Sequence, residues 1–442
     1  MKRRDFLTNM MLAGGTLALG GCVSSKEKEY IPKQAEDGSE YITEPAKRIT
    51  VLAKTDVLVV GGGPAGVAAA VAASRAGAET YLLERYNHLG GLWTGGLVLP
   101  LLSTHGLSQK GERVQVIHGL SGEMVDRLRA MNMAIDEVNP TIDPEAGKYV
   151  LDEMVSEAGV HVLYHTWAVE AIMDKQTIKG VYIESKSGRQ AILAKIVIDC
   201  TGDGDVFKWA GEKFDVIKYA IGQNYRVGNA DKVNKNAPGY VYQNIGNDTP
   251  IPGVKWYNVW GELEQDALDV ENLSRLQQKF RKDTWEHIQE IKKMPGYQDI
   301  YLLDTASQIG VRLSRILDGE YMLTLEDSMT YRHFDDAIGV SGAWTNLTYK
   351  DQRVTPGNRP YWQIPYRSLV PKTIDNLLVA GRCFCYEKAL MEDARIIGTC
   401  LVTGQGAGVA AALAVKGNEL PRHIDIQKLH QTLVGQHVWF GA

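Results

Sequence analysis

The alternation of apolar and polar stretches along the chain predicts buried strands followed by helices. Asp56–Val60 is a short apolar run rich in β-branched residues, which is typical of a buried parallel strand. Val67–Ala76 is rich in alanine and valine and contains no helix breaker, so it predicts a helix. Glu79–Leu83 predicts a second strand. This order favours an α/β fold in which parallel strands form the central sheet.

The later segments predict a β-meander, an inserted region and a return to the first fold. Alternating runs predict the meander, which ends in a buried strand at Ile196–Asp199. Lys213–Asp304 is different, with scattered Asn, Gly, Pro, Trp and Tyr and an amphipathic helix at about residues 270–293. This region predicts an inserted α+β domain. Asn376–Ala380 then predicts another strand, and Gly398–Lys416 predicts a final helix.

The strongest chemical motif lies between the first strand and the first helix. Gly61, Gly63 and Gly66 form a G-x-G-x-x-G sequence in that setting. The first glycine allows a tight turn, the second lets the backbone approach a pyrophosphate, and the third lets helix and strand pack closely. Glu84 follows the second strand, about twenty residues after the glycines, where an acid can bind ribose hydroxyls. The combination predicts a dinucleotide site.

The sequence around this motif resembles a known family. VVGGGPAGVAAAVAASRAGAETYLLER followed by HLGG is similar to the flavin end of FAD-dependent oxidoreductases, within the broad glutathione-reductase-type superfamily. Pro64-Ala65 and the continuation from Glu84-Arg85 to Gly91 resemble FAD sites more than NAD sites. The resemblance therefore implies FAD as the cofactor and a Rossmann-like FAD-binding domain with a parallel sheet and a β-meander.

The resemblance also implies a set of cofactor contacts and domain limits. An FAD-binding domain is expected over residues 50–212 and 361–442, with a substrate or cap domain inserted at residues 213–360. The expected cofactor-binding residues are Gly61, Gly63, Pro64, Ala65, Gly66, Glu84, Arg85, Gly91, Leu92, Trp93, Thr94, Val169, Thr201, Gly202, Asp203, Gly381, Arg382, Gly404 and Gln405. Trp93 also fits a second interpretation, a tryptophan buried in a glycine-rich loop.

Three later motifs add detail to this expectation. Thr201–Asp205 resembles the second flavin-domain motif of the family. Gly381 is followed by Arg382, where superfamily members commonly have an acid that binds the ribityl chain. The final helix is expected to direct its N-terminus at the N1/O2 edge of the flavin, where it would stabilise the negative charge of the reduced cofactor.

Candidate catalytic residues follow from the same family and from side-chain chemistry. Arg312 and Arg315 lie in GVRLSRILDGEY, which resembles a family segment, and they predict either a substrate or flavin contact or a structural ion pair. His333 and Tyr366 are candidates to take or give a proton, although a single histidine is more often structural. Other histidines compete for that role: His88, His105 and His118.

Composition excludes some classes of function. The net charge is −5, so no basic surface indicates nucleic-acid binding. The five cysteines have no C-x-x-C or paired metal-ligand spacing, and no metal site is expected. Cys383 and Cys385 are expected to be packed free thiols, with a redox or disulfide role as the alternative.

The N-terminus predicts export and lipid anchoring. Residues 1–21 combine paired arginines with a short apolar segment, and Leu19–Cys22 resembles a bacterial lipobox, so Cys22 is the expected lipidated residue. The arginine pair resembles a twin-arginine signal; an ordinary secretory signal or an intracellular terminus are the alternatives. Residues 22–49 are expected to be a polar tether, largely without secondary structure. The expected location is periplasmic or cell-surface, on a membrane.

Three functions fit these observations. The first is an exported FAD-dependent oxidoreductase that transfers a hydride between a small polar organic substrate and flavin N5. Because no second G-x-G-x-x-G follows a strand, no NAD(P)H domain is expected, and electrons would pass through the substrate, oxygen, a quinone or a redox protein. The second is a nicotinamide-dependent dehydrogenase. The third is a non-catalytic surface protein that holds flavin and binds a ligand.

Overall fold

The structure is a computed structural model that describes residues 33–34 and 38–441. It divides into two units, residues 1–48 and residues 49–442. In the first unit, Lys33–Gln34 pairs with Glu40–Tyr41 in antiparallel orientation. The predicted export signal at residues 1–21 and the predicted lipidated Cys22 lie outside the described residues.

The second unit is built on a central sheet that the described residues form from seven strands. In chain order they are β1 (Thr50–Val60), β2 (Thr80–Leu83), β3 (His161–Leu163), β4 (Trp167–Asp174), β5 (Thr177–Ser185), β6 (Gly188–Asp199) and β7 (Leu377–Val379). The order across the sheet is β4-β5-β6-β1-β2-β3, and β7 also pairs with β6. The strands β7, β6, β1, β2 and β3 run parallel, and β4, β5 and β6 form an antiparallel meander. The predicted α/β fold with a parallel sheet and a meander is therefore confirmed.

The strand that carries the glycine motif is longer than the sequence predicted. β1 begins at Thr50, because its first half pairs with β6 from Gln190 onwards, before the apolar run starts. The first residues of β1 are exposed and the last four are buried. Periodicity detects only the buried half, so the prediction of Asp56–Val60 found the core end of the strand.

Nine α-helices occur in the described residues. They are α1 (Pro64–Arg75), α2 (Leu120–Ala130), α3 (Pro144–Glu157), α4 (Asp205–Ala210), α5 (Val270–Lys292), α6 (Leu325–Met329), α7 (Met391–Ala394), α8 (Ile397–Gly417) and α9 (Ile426–Gly435). The sequence predicted α1, α5 and α8 to within a few residues but did not predict α9. A Cβ at Gly404 would overlap the Ala65 carbonyl oxygen, and one at Gly408 would overlap that of Ala69. The glycines of α8 thus let its backbone contact that of α1.

The region between α4 and α7 forms smaller sheets beside this core. Its strands are Phe214–Val216, Tyr219–Gly222, Tyr225–Gly228, Asn247–Asp248, Lys255–Tyr257, Glu262–Gln265, Tyr301–Thr305, Gly310–Val311, Arg315–Leu317, Ala337–Ser341, Leu347–Tyr349, Gln352–Val354 and Trp362–Pro365. Short strand pairs also follow β2 and precede α3: His105–Leu107 with Arg113–Gln115, and Ala134–Ile135 with Thr141–Ile142. The amphipathic helix α5 buries Leu276, Phe280 and Ile288 against two of these sheets. The strands named here pair in antiparallel orientation, as expected for an α+β insertion. The boundaries at residues 213 and 360 stay a prediction.

Three further features bear on the predictions. The cysteines in the described residues, Cys200, Cys383, Cys385 and Cys400, are all buried free thiols. In the part of the chain that the structure describes, no cluster of His, Cys, Asp or Glu side chains could hold a metal ion. Of the described helices, α8 is long and apolar enough to cross a membrane, but nearly all of it is buried inside the protein, as core helices are.

Candidate functional site

A cavity of about 360 Å³ opens at the carboxyl ends of the parallel strands. Its walls come from the turn after β1, the turn after β2, the turn after β6 and the start of α8, together with segments from the inserted region. This is where open α/β sheets bind ligands, because the loops that follow parallel strands meet at one edge. We call the walls formed by the strand ends the nucleotide side. The distal side is formed by Asn224, residues 256–260 and 308–312, Trp344 and Arg395.

The glycine turn after β1 has the geometry that a pyrophosphate requires. Gly61 has a φ of +104°, and a Cβ there would lie 2.5 Å from the Cys200 carbonyl oxygen. A Cβ at Gly66 would overlap the Gly61 carbonyl oxygen, so this residue sets the contact between helix and turn. A Cβ at Gly63, by contrast, would meet no heavy atom within 4 Å, and Gly63 lines the cavity. The motif therefore leaves open space for a ligand at its middle glycine.

Glu84 is fixed at the end of β2 and lines the cavity. Its Oε2 accepts a hydrogen bond from the Gly62 N–H at 2.8 Å, and its Oε1 accepts one from the Tyr86 N–H at 2.7 Å. Burial raises the pKa of this carboxyl above its usual value, although the two N–H donors oppose the rise. Each oxygen keeps one lone pair for a ligand hydroxyl, which suits a ribose.

The turn after β6 is shaped by a buried acid that the sequence analysis did not single out. Asp199 accepts hydrogen bonds from the Thr201 N–H and hydroxyl and from the Val206 and Phe207 N–H groups. Burial raises the pKa of Asp199 to about 6. This acid holds the Thr201–Asp205 turn against the sheet, so that Thr201 and Gly202 line the cavity.

Arg382 also lines the cavity, and an aspartate holds it in place. Its guanidinium donates to Asp203 Oδ1 at 2.8 Å, and the same oxygen accepts from the Ser314 hydroxyl at 2.7 Å. A Cβ at Gly202 would lie only 2.5 Å from Nη1 of Arg382, so the glycine leaves room for the arginine side chain. Asp203 itself does not line the cavity. Asp203 was predicted to contact the cofactor directly. In the structure it instead holds Arg382, which lines the cavity.

The start of α8 forms another wall. Ile396, Ile397 and Cys400 line the cavity, and no side chain caps the N-terminus of the helix. The N-terminus of α1, after Gly63, also has no side-chain cap. Two helix ends with free N–H groups therefore face one cavity, and both favour a negatively charged ligand.

Several predicted cofactor residues lie behind the cavity wall instead of on it. Trp93 is fully buried and its Nε1 donates to the Leu99 carbonyl at 3.3 Å, which matches the alternative interpretation of a buried loop tryptophan. Thr94 is also fully buried and donates to the Leu89 carbonyl. Val169 lies at a bulge between β4 and β5, and its neighbour Ala168 lines the cavity in its place.

Two predicted contacts on α8 have structural roles. Gly404 packs against the backbone of α1 at Ala65, as described above. Gln405 accepts a hydrogen bond from the Leu120 N–H at 3.0 Å, so it binds the start of α2. Neither residue lines the cavity, and Gly66 is also behind its wall. The helix reaches the cavity with its first turn only, because residues 404 and 405 are two turns further along the axis. The predicted residues that do line it are Gly61, Gly63, Pro64, Ala65, Glu84, Arg85, Gly91, Leu92, Thr201, Gly202, Gly381 and Arg382.

Of the four predicted catalytic residues, Arg312 alone lines the cavity. Arg315 donates to the Asp203 carbonyl at 2.8 Å and to Asp205 Oδ1 at 3.0 Å, so it is the structural ion pair that the sequence left as an alternative. The His333 side chain is 76% exposed. Tyr366 is buried, and its hydroxyl donates to the Pro421 carbonyl at 2.8 Å. The assignments of His333 and Tyr366 as proton carriers are therefore corrected, as is that of Arg315.

The rival histidines lie elsewhere too. His88 is buried beside Asn87, with Nδ1 2.9 Å from the Asn87 Oδ1, and burial lowers its pKa. Burial also lowers the pKa of His105, whose ring lies 2.9 Å from the Thr104 hydroxyl. The ring of His118 packs near Trp439. None of the three lines the cavity in the described part of the chain.

Unpaired polar atoms on the wall indicate that the cavity holds a ligand. Gln308 Oε1, Arg382 Nε and Arg395 Nε are buried and have no hydrogen-bond partner among the described residues, and all three residues line the cavity. Buried polar groups are normally paired. A molecule that offers donors and acceptors along the cavity would satisfy them. Together with the open space at Gly63 and the Glu84 carboxylate, these atoms fit a dinucleotide.

Comparison with known proteins identifies the family. The profile of the family described as "FAD dependent oxidoreductase" matches residues 56–238 and 212–433. The chain belongs to the FAD-dependent oxidoreductase family. The cofactor of this chain is therefore FAD. This favours an enzyme over the non-catalytic alternative, and FAD over the nicotinamide alternative.

Similar proteins include reductases and a synthase. A digeranylgeranylglycerophospholipid reductase of Methanosarcina acetivorans is 27% identical over 47% of this chain and 52% of its own length. A thiamine thiazole synthase of Methanococcus vannielii is 31% identical over 34% of this chain and 57% of its own length. The chain thus spans little more than half the length of these relatives. The crystal structure of a geranylgeranyl bacteriochlorophyll reductase-like protein from Thermoplasma acidophilum covers 87% of this chain and 84% of its own, with 16% identity and a TM-score of 0.42.

The distal side of this FAD-dependent oxidoreductase contains residues that sequence reasoning missed. They are Asn224, Trp256, Asn258, Trp260, Gln308, Trp344 and Arg395. The scattered tryptophans and asparagines of the inserted region were the available signal. No spacing rule connects them, because they come from segments far apart in the chain.

Proposed function

We propose that this FAD-dependent oxidoreductase transfers a hydride between a small polar organic substrate and flavin N5. When bound, FAD supplies a two-electron acceptor or donor at that atom. The observation that supports this function is the continuity of the cavity, which runs from the glycine turn to the distal side past the start of α8. A cofactor on the nucleotide side and a substrate on the distal side would then share one cavity.

Residues of the chain would hold the cofactor and the substrate in different ways. Glu84 would accept hydrogen bonds from the ribose, and the N-terminus of α1 would face the pyrophosphate. The N-terminus of α8 would stabilise negative charge on the reduced ring system. Arg312 would orient the substrate, because it is the predicted catalytic residue that reaches the cavity.

Export and anchoring belong to the same proposal. The paired arginines, the apolar segment and Cys22 support an exported protein with a lipid on Cys22, facing the periplasm or the cell surface. The electron acceptor would then be oxygen, a quinone or a redox protein, and we expect no nucleic-acid partner. Replacing Cys22 with Ser should move the protein from the membrane fraction to the aqueous fraction. A variant that stays in the membrane fraction would contradict the lipid anchor.

The reaction is tested by reducing the flavin without oxygen. The purified protein should be yellow, and its absorbance near 450 nm should bleach when a substrate donates a hydride. Deuterium at the reacting carbon should slow the bleaching, because the C–H bond breaks in that step. Bleaching that is insensitive to deuterium in single turnover, for every substrate found, would argue against direct hydride transfer. A panel of organic acids, sugars and aromatic compounds gives the first search.

A further inference from the structure

Arg312 occupies an unusual position on the distal side of the cavity. Its Nη1 donates to the Trp260 carbonyl at 2.7 Å, and its Nη2 donates to the Val259 carbonyl at 3.4 Å. The guanidinium also stacks over the Trp260 ring, with its Cζ 4.2 Å from the ring centroid. These two bonds use two of its five N–H donors. Because Arg312 lines the cavity, its remaining N–H donors are available to a ligand there.

Arg312 forms no salt bridge with any described residue. No carboxylate among them lies within salt-bridge distance of it. The nearby Glu392 is already bound, since it pairs with Arg395 and accepts from the Tyr219 hydroxyl at 2.5 Å. Burial, together with the neighbouring Arg395, lowers the pKa of Arg312 to about 10, although the Glu392 carboxylate opposes the fall. Two cations thus lie close enough to interact, and the one acid near both of them pairs with Arg395.

Arg395 adds a second donor to the same space. Its Nε is buried and unpaired among the described residues, and the side chain lines the cavity. Two guanidinium groups with spare donors form a site for a carboxylate, whose planar pair of oxygens matches their geometry. An anion there would pair the excess charge and the unpaired donor at once.

Three tryptophans give the surrounding walls flat apolar surface, beside the polar side chains of Asn224, Asn258 and Gln308. Trp256 donates its Nε1 to the Leu97 carbonyl, and Trp344 donates its Nε1 to the Glu392 carbonyl at 2.7 Å. Because these N–H groups are occupied, the two indoles present their rings to the cavity as apolar surface. Trp260 adds a third ring, held by Arg312. Such walls favour a planar, unsaturated body attached to the anion.

We propose that the substrate is an aromatic carboxylic acid whose carboxylate binds Arg312 and Arg395 and whose ring packs between Trp256, Trp260 and Trp344. This inference rests on the proposed function, for which it names the substrate class. The neutral analogue of such an acid leaves the charge of Arg312 without a counter-charge and binds weakly. A small acid without a ring leaves the indole surfaces exposed to water and also binds weakly.

The test uses the FAD-loaded protein and three non-reacting probes: benzoate, benzamide and acetate. Each is titrated while the flavin spectrum and the tryptophan fluorescence are recorded. Benzoate is expected to bind at least about tenfold tighter than benzamide, as a charge-assisted hydrogen bond predicts, and also tighter than acetate. Arg312→Gln should remove the preference for benzoate over benzamide, whereas Arg312→Lys should retain part of it. Arg353→Gln is the matched control, because Arg353 is exposed and away from the cavity.

Other results would overturn the inference. Equal affinity for benzoate and benzamide would show that the arginines do not select an anion, and acetate equal to benzoate would show that the rings do not contribute. Loss of FAD from Arg312→Gln, with the control loaded normally, would assign this arginine to the cofactor. The proposed hydride transfer can fail while the anion site stands. That would be the case if the protein binds benzoate selectively but no organic donor reduces its flavin. If neutral donors reduce the flavin but benzoate does not bind, the hydride transfer stands and the anion site is refuted.

Discussion

Replacing Gly63 with alanine tests the nucleotide side of the cavity without disturbing the fold. Gly63 precedes α1 with φ −68° and ψ −175°, which any residue adopts, so alanine introduces no backbone strain. Its Cβ would meet no heavy atom of the protein within 4 Å. The added methyl group would therefore occupy only space that belongs to the ligand.

The magnitude follows from what that methyl group displaces. A pyrophosphate at the N-terminus of α1 accepts hydrogen bonds from backbone N–H groups, and a bond to a charged group contributes about 1.5–3 kcal/mol. Losing one of them predicts a fall of about 10- to 150-fold in FAD affinity. The stability of the cofactor-free protein should change by less than about 0.5 kcal/mol, since the entropic gain over glycine is offset by the poorer N-cap.

Two readouts separate these effects. FAD affinity is measured by titrating the cofactor-free protein and following the quenching of flavin fluorescence, and stability is measured by urea unfolding of the same preparation. Gly122→Ala is the matched control, because a Cβ at this glycine of α2 also meets no heavy atom within 4 Å and lies away from the cavity. We expect it to bind FAD normally and to be as stable as the parent, or more stable by up to about 1 kcal/mol.

The outcome that refutes the reasoning is normal FAD binding by Gly63→Ala. The cofactor would then not pass close to this glycine, and the open space at the turn would have another purpose. A variant that unfolds before FAD is added would also contradict the geometry, because no protein atom lies in the way.

Three further outcomes follow from the same structure. Gly404→Ala should destabilise the protein by about 1–3 kcal/mol in urea unfolding despite a better helix residue, because its Cβ overlaps the Ala65 carbonyl in the packing of α8 on α1; unchanged stability would contradict that packing. Tyr366→Phe should lower the free energy of unfolding by about 1 kcal/mol, through the lost bond to the Pro421 carbonyl, and leave flavin reduction unchanged; slower reduction would restore Tyr366 as a candidate. Benzoate affinity should be constant from pH 7 to 9 and fall above about pH 10, because the lowered pKa of Arg312 means that its charge is present below that pH and lost above it; a fall centred near pH 7 would assign the anion to another group.

The nucleotide side could be predicted because its determinants are local in sequence. A strand, three glycines and a helix start place Gly61 and Gly63 by backbone geometry alone. Glu84 follows from the length of one helix and one strand. The residues that line the cavity after β6 and β7 could be predicted for the same reason, since each follows directly after a parallel strand.

Predictions failed where a side chain had more than one possible partner. Arg315 and Arg312 are three residues apart, and both were candidates for substrate contact. The structure gives Arg315 two partners at Asp203 and Asp205, and it gives Arg312 none of opposite charge among the described residues. Sequence spacing could not distinguish them, because the partners of Arg315 lie 110 and 112 positions away.

The same limit explains the errors on α8. A glycine such as Gly404 inside a helix indicates close approach to another group, and the sequence favoured the cofactor as that group. The structure shows that the close approach at Gly404 is to the backbone of α1, and that the cavity meets only the first turn of α8. A long apolar helix with small residues gives the same sequence pattern for both arrangements, so only the tertiary structure decides between them.

The segment before α8 connects the two sides of the cavity and makes them depend on each other. Arg395 belongs to the distal side, and Ile397 begins the helix whose N-terminus faces the cofactor space. Just ahead of them, the buried Asp393 pairs with the fully buried Arg359 and accepts from the Trp344 N–H at 3.0 Å. A buried pair of this kind is costly to break, because one partner would be left as an uncompensated charge. The Asp393 carboxylate thus holds a distal tryptophan, and the Asp393 carbonyl accepts from the Thr399 hydroxyl in the first turn of α8. Because one residue contacts both sides, we expect a change in substrate position and a change in the electrostatics at the cofactor to be coupled at this segment.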